Sequence, residues 1–230
     1  MTRLAPVLVG AAVAAVPASA AERPLPPDAV RGPAHLLRPY ADPSLATPAQ
    51  RSAARGILAQ LRRVTREWRD PAVAAEAGFR TAPRKRRKPG ERWIMWFHAE
   101  HRAFSNDRAY LDPRRPEVLI YADMPGRPLV LVGVMFAVPR GVRGPTPGGP
   151  ITRWHTHRVC VEGDRRGLAP RPDGRCPPGT RSRYGSEMMH VWFTRDLRSA
   201  YSVPAPVREL CAAGLVPRPY CAHVDHGHGM

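Results

Sequence analysis

The sequence predicts an α+β protein in which N-terminal helices pack on a curved, mainly antiparallel β-sheet. Residues 47–77 contain helix-start signals and the apolar spacing of amphipathic helices, whereas the apolar residues beyond position 93 form the short runs that suit strands. Helices and strands are therefore segregated along the chain, as is typical of α+β proteins. A small cupin-like β-barrel is the alternative architecture, although five evident strands are few for it.

The first twenty residues predict a secretory signal peptide. Arg3 precedes an apolar run over residues 4–16, and Ala18-Ser19-Ala20 supplies the small residues of a cleavage site. The apolar run is short and rich in alanine for a transmembrane span, and a retained membrane anchor is the alternative. We expect a secreted, periplasmic or cell-envelope protein with no transmembrane segment once the signal is removed.

Three further divisions follow the signal. Residues 21–46 are rich in proline and are expected to be a disordered lead-in. Residues 47–215 are expected to form a single α+β domain, and residues 216–230 a His-rich tail that binds metals weakly or has no role.

Two helices are predicted at the start of the domain. Thr47-Pro48 and Asp70-Pro71 each combine a capping residue with proline at the first helical position, and Gly78 is placed to end the second helix. One apolar stripe is formed by Ile57, Leu61, Val64 and Trp68. Strands are predicted at residues 93–98, 117–122, 129–138, 151–160 and 187–193, and a brief helix at residues 206–213.

The candidate site is a set of histidines on two predicted strands. His155 and His157 are two residues apart and therefore share a strand face, and His190 lies within the strand at residues 187–193. Three imidazoles are a plausible set of metal ligands, and His98, which closes an earlier strand, is a candidate fourth. The metal would be a divalent transition ion such as zinc, iron or copper, and binding should fail below about pH 6 as the histidines protonate.

Other metal motifs fit less well. In His98-Ala99-Glu100-His101 the two histidines are three residues apart rather than four, and the preceding residues suit a strand, so a zinc-protease motif is rejected. We expect a structural polar contact for His101. Cupins carry a glutamate soon after their His-x-His pair, whereas Glu162 follows here beyond Cys160.

Four cysteines favour an oxidising compartment. The most local of the three pairings joins Cys160 to Cys176 and Cys211 to Cys221. The alternative is a zinc site in which Cys160 and Cys176 join the histidine pair.

A net charge of +17 suits anionic partners such as cell-wall polymers. A basic run starts at Arg84 and ends at Lys88, but it has no interleaved aromatic residues and predicts no specific nucleic-acid binding. Apart from Lys85 and Lys88 the basic residues are arginines, which also fits the coding bias of a GC-rich genome.

Part of the chain resembles an uncharacterised family of predicted secreted bacterial proteins. The likeness rests on a histidine after an aromatic residue (Phe97-His98), a turn of the form LDPxRPE at residues 111–117, and an apolar strand that ends in Val138-Pro139. The resemblance implies the extent of the domain and no activity. Met135 stands where that pattern has an acidic residue.

The leading interpretation is an exported metal-binding protein of unknown activity, with its status as an enzyme left open. The alternative is a non-catalytic cell-envelope module that binds anionic polymers through the basic run and the arginine-rich first helix.

Signal cleavage is expected after Ala20, because the small residues at positions 18 and 20 match the requirement of the peptidase. N-terminal sequencing of protein recovered from the exported fraction should begin at Ala21. Exported protein that begins at Met1 would contradict this prediction.

Overall fold

The structure, a computed structural model, describes residues 35–37, 42–81, 93–162 and 176–222. The predicted signal peptide, the basic run at residues 84–88 and the residues beyond 222 lie outside these ranges. Among the described residues, no helix has the length and apolar character needed to cross a membrane.

The architecture is α+β, as predicted, and is built on one antiparallel sheet. Its strands are His35–Leu37 (β1), Arg80–Thr81 (β2), Met95–Glu100 (β3), Val118–Asp123 (β4), Val130–Ala137 (β5), His155–Val161 (β6), Arg181–Tyr184 (β7) and Met188–Trp192 (β8). The order across the sheet is β1-β6-β8-β5-β4-β3-β2, and β7 pairs with the second half of β6. The first and last strands of this order, β1 and β2, do not pair with each other, so the barrel alternative is wrong. A barrel needs its first and last strands to pair, and here the end strands are only three and two residues long.

The first helix begins where the sequence predicts. α1 (Pro48–Val64) is capped by Thr47, whose hydroxyl accepts from the Gln50 amide while the Gln50 side chain accepts from the Thr47 amide. The helix ends before Trp68, which is buried in a short 3-10 turn rather than on the predicted stripe. The apolar face is centred on Leu58 and Leu61 instead.

The second helix, α2 (Pro71–Glu76), is capped by Asp70, and Gly78 follows it with a φ of 106°. Three shorter helices are Arg102–Ser105 (α3), Leu197–Ala200 (α4) and Val207–Ala212 (α5). The predicted helix at residues 206–213 corresponds to α5.

The sheet has a hydrophobic layer on each face. The N-terminal helices and α4 cover the first face, where Leu61, Tyr121, Phe136, Met189 and Val191 are buried. Residues after 203 cover the second face, where Val207, Leu210 and Val216 pack against Ile120, Val132 and Trp192. The domain therefore continues beyond residue 215 into the segment predicted to be tail.

The lead-in also contributes to the sheet. β1 pairs antiparallel with β6, and His35 lies opposite His157 in the backbone register. Residues 35–37, which lie within the predicted lead-in, therefore form an edge strand of the sheet. The sequence did not predict this strand, because three residues are too few to show an alternating pattern and the surrounding segment is rich in proline.

Both predicted disulfides are present. Cys160 is bonded to Cys176, and Cys211 to Cys221. The zinc alternative that used Cys160 and Cys176 is therefore wrong, because a disulfide sulfur is not a thiolate ligand.

Gly133 is required where β5 meets β8. A Cβ at this position would lie 2.7 Å from the Val191 carbonyl oxygen, and the neighbouring register carries a β-bulge. We expect Gly133→Ala to lower the free energy of unfolding by about 1–3 kcal/mol, because the backbone contact cannot relax cheaply.

Gly56→Ala is the matched control, measured by chemical denaturation alongside it. Gly56 lies within α1, and nothing surrounds its Cβ position within 4 Å. Alanine should stabilise the helix there by up to about 1 kcal/mol. Equal effects of the two substitutions would contradict the close approach at Gly133.

Candidate metal site on the second face of the sheet

Strand β6 presents two histidines to the second face of the sheet. His155 and His157 are 1% and 8% exposed, and their Nε2 atoms lie 3.2 Å apart. Thr156 between them has its hydroxyl turned to the Gly185 carbonyl oxygen, 2.9 Å away. The period-two alternation of a strand therefore produces the predicted pairing of the two imidazoles.

The start of β6 is fixed by Trp154, which is 1% exposed. Its indole N–H donates to the Pro145 carbonyl oxygen at 2.9 Å, and a Cβ on Gly144 would overlap the indole ring. The Gly/Pro segment before β6 thus packs on Trp154, which belongs to the cluster on the first face, opposite His155 and His157.

His190 reaches the same face from β8. Its Nδ1 lies 3.0 Å from the Val203 carbonyl oxygen. Because a carbonyl can only accept, Nδ1 carries the proton and Nε2 holds the lone pair. This tautomer is the one found in histidine ligands, whose second nitrogen donates to a backbone carbonyl.

The three rings are neighbours. The centroid of His155 lies 5.0 Å from that of His157 and 4.9 Å from that of His190. The centroid of the Trp192 indole lies 5.2 Å from that of the His190 ring. The structure therefore brings together three of the four predicted site residues.

His98 lies elsewhere on the sheet. It is on β3, opposite Ile120 of β4, and both β4 and β5 separate β3 from β8. Three strand spacings amount to about 14 Å, which is beyond the reach of a shared ion. The structure does not bring His98 to the other three histidines.

His101 has a structural role, as expected. Its Nδ1 accepts from the Phe104 amide at 3.2 Å and so caps α3, while its Nε2 lies 3.0 Å from the Ala77 carbonyl oxygen. The ring also stacks on Phe104, with 3.6 Å between centroids.

The geometry of the pair on β6 is compatible with two kinds of interaction. Two imidazole nitrogens bound to one tetrahedral ion at about 2.0–2.1 Å would be about 3.3 Å apart, with ring centroids about 5 Å apart. A separation of 3.2 Å between Nε2 atoms also suits a hydrogen bond in which one ring donates to the other. No group of three or more His, Cys, Asp or Glu side chains within the described ranges is arranged to hold a metal ion. Ligation by all three histidines would therefore require His190 to shift toward the pair.

Two of the arginines on α1 are engaged within the fold. Arg51 donates to the Ala46 carbonyl oxygen, and Arg62 donates to the Thr194 carbonyl oxygen. Burial lowers the pKa of Arg62. Part of the positive charge of this helix thus serves to fix neighbouring segments rather than to face a partner.

Sequence reasoning did not anticipate the buried carboxyl group of Glu117. The residue is 2% exposed, and its Oε2 atom has no hydrogen-bond partner among the described residues. Burial raises the pKa of Glu117 to about 9, and the negative charges of Asp107 and Asp112 add to this effect. Those two carboxylates are themselves paired, with Arg115 and Arg114. Glu117 is therefore protonated at neutral pH.

Comparison of the chain with protein-family models, with curated proteins and with solved structures gave no match. Inference about function therefore depends on the site itself.

Titration of Glu117 should make stability depend on pH. Its pKa is about 9 in the folded protein and near 4.5 in the unfolded chain, so between these values only the folded state holds the proton. The contribution to stability is complete below about pH 4.5 and declines as the pH rises toward 9, by up to about 1.4 kcal/mol per pH unit. We expect Glu117→Gln to remove this decline and to be more stable than wild type at pH 8.

Urea denaturation at pH 5, 6.5 and 8 measures this difference. Glu67→Gln, which alters an exposed carboxyl group, is the control and should keep the wild-type slope. Identical pH profiles for Glu117→Gln and wild type would show that the carboxyl group is not protonated in the folded state.

Proposed function

We propose that this is an exported protein that binds a transition-metal ion through His155, His157 and His190. The observation that supports the proposal most directly is the 3.2 Å separation of the two Nε2 atoms on β6. At this separation an ion could also lie about 2.0–2.1 Å from each nitrogen if it took the place of the proton between them.

The surroundings of His190 add support. Its hydrogen bond to Val203 involves Nδ1, so Nε2 would be the ligand atom, and its ring lies 4.9 Å from that of His155. That centroid separation is close to the value of about 5 Å expected for two imidazoles on one ion. Binding by three nitrogens would require His190 to move toward the pair on β6.

Three protein ligands leave a coordination position open. Water, an anion or a carboxylate would complete the shell, and an ion with an open position can activate water or oxygen. The chemical consequence is therefore either metal carriage or a metal-assisted reaction.

Export is supported by both disulfides, which persist in oxidising compartments. A second function, binding of anionic cell-envelope polymers, is favoured by the charge of +17. Such binding would weaken steeply as salt is added, whereas ligation by neutral imidazoles would not.

His157→Ala tests the strand site. We expect the variant to lose more than about 100-fold in metal affinity, because a direct ligand is removed and second-shell changes alone cost 10- to 100-fold. Isothermal titration calorimetry with Zn²⁺ measures the loss, and thermal denaturation in the presence of a chelator checks that the fold is retained.

Two controls separate the strand site from other histidines. His98→Ala alters a histidine on the same sheet outside the cluster and should leave affinity unchanged. A chain shortened after Ala222 lacks His223, His226 and His228 but keeps Cys221, and should lose only weak binding.

If His157→Ala binds as tightly as wild type while the shortened chain binds nothing, the proposal fails and the tail is the metal binder. Wild-type protein that binds no metal at all would assign the imidazole pair to a hydrogen bond.

A further inference from the structure

We infer that the ion is monovalent copper, held by the thioether sulfur of Met188 together with the imidazoles of the cluster. The inference rests on the function proposed above, adds the identity of the metal, and places Met188 in the coordination position that the three histidines leave open.

The strand register places Met188 beside the histidines. Met188 lies directly opposite His155 in the pairing of β6 with β8. Directly opposed residues in an antiparallel pair have Cβ atoms about 4.5–5.5 Å apart and share a face. Met188 is also two residues from His190 on β8, so it shares that face with His190 as well.

A second thioether lies on the next strand. Met135 of β5 is directly opposite His190, and it is diagonal to Met188 across the same strand pair. The order of strands is β6, β8, β5. On this face β6 carries two histidines, β8 carries one histidine and one methionine, and β5 carries one methionine. The five residues are His155, His157, His190, Met188 and Met135.

The two neighbouring methionines of β8 have different environments. Met189 is fully buried and belongs to the hydrophobic cluster on the first face. Met188 is half-buried, and among the described residues it is not part of the packing of either hydrophobic cluster. Core packing thus explains Met189 and does not explain Met188. Met135 is half-buried and packs at the margin of the second cluster.

The donor set selects for a soft ion. Thioether sulfur favours Cu(I), while imidazole accepts copper, zinc, iron and nickel alike. Methionine sulfur contributes little to a hard divalent ion. A site that combines the two donor types on one face therefore discriminates in favour of Cu(I).

The charge of the side chains at the site also favours Cu(I). The five side chains carry no charge when the histidines are neutral, and the three imidazoles are at least nine-tenths buried. A divalent ion would retain two uncompensated charges there, and Cu(I) retains one. Because the cost of burying an ion rises steeply with its charge, the neutral site favours the monovalent ion.

The inference is tested on the full-length exported chain with His223, His226 and His228 changed to alanine, so that tail histidines do not contribute. Cu(I) affinity is measured without oxygen against bicinchoninate, with ascorbate as the reductant because thiols would attack the disulfides. Zn²⁺ affinity is measured in parallel with a chromophoric chelator. We expect Met188→Leu to weaken Cu(I) binding by about 10-fold or more and to change Zn²⁺ binding by less than about 2-fold.

Met189→Leu is the matched control, because the substituted residue is adjacent in sequence but lies on the opposite face of β8. It should leave both affinities unchanged. Copper-edge X-ray absorption of the Cu(I) protein that carries only the three tail substitutions provides a second readout that does not depend on how the Met188 variant folds, and it should detect sulfur as well as nitrogen bound to copper.

The outcomes separate this inference from the proposed function. If Zn²⁺ and Cu(I) bind, no sulfur is detected and Met188→Leu leaves Cu(I) affinity unchanged, the thioether site is wrong and the histidine site remains. If neither ion binds to the unsubstituted protein, both proposals fail. Loss of Cu(I) and Zn²⁺ binding alike in Met188→Leu, with the fold retained, would assign Met188 to support of the histidines and overturn its role in selecting copper.

Discussion

The pairing of β8 with β5 on one side and β6 on the other is the constraint on which the candidate site depends. β8 alternates between the two hydrophobic layers, with Met189 and Val191 fully buried on the first face and Trp192 on the second. A slip of one residue would move His190 into the layer under the helices and would move Met189 and Val191 to the second face, so the packing of both layers would be lost. Burial of apolar side chains thus fixes the register, and the register fixes the position of the histidine.

The C-terminal segment completes this arrangement from the second face. Val203 lies 8% exposed beside the sheet, and its carbonyl oxygen accepts the proton of His190 Nδ1. Further along, the Trp192 indole donates to the Ser202 carbonyl oxygen at 2.9 Å, which holds the same segment against β8. Main-chain carbonyls of this segment therefore orient two side chains of β8. The disulfide between Cys211 and Cys221 closes the loop that follows and limits its freedom in the unfolded chain.

Local signals allowed much of this fold to be predicted from the sequence. The cap at Thr47 and the alternation at residues 155–157 depend on neighbours within four residues, so they could be identified without tertiary information. The missed features depend on distant contacts. β1 and β2 are too short to show a period, and the chain after residue 203 is identified as a core layer only once the second face of the sheet is known to need cover. His98 was grouped with the other histidines because sequence does not give the order of strands, and two intervening strands separate it from them.

Glu117 illustrates the same limit for electrostatics. A glutamate after a turn rich in charge is expected to be solvated, yet its carboxyl group is buried beside the end of β5, where Ala137 supplies a backbone hydrogen bond. The fold tolerates it because the protonated form is neutral. The two buried histidines of β6 are accommodated differently, because their Nε2 atoms are within hydrogen-bond distance of each other.

A metal ion that bound to both of these histidines would have to replace the hydrogen bond between them. In the metal-free pair, one Nε2 donates a proton to the lone pair of the other, and the 3.2 Å contact holds both rings with these atoms converging. An ion bound by both nitrogens would take the place of that shared proton, and the same proton would move to Nδ1 of the donor ring, because a neutral imidazole carries a single ring proton. The hydrogen bond and the metal therefore compete for the same lone pairs, while the hydrogen bond keeps the rings near the separation that ligation requires. The proposed metal site would thus be preorganised at the cost of one neutral hydrogen bond, which contributes about 1 kcal/mol. That cost is small beside the free energy with which imidazoles bind a transition-metal ion.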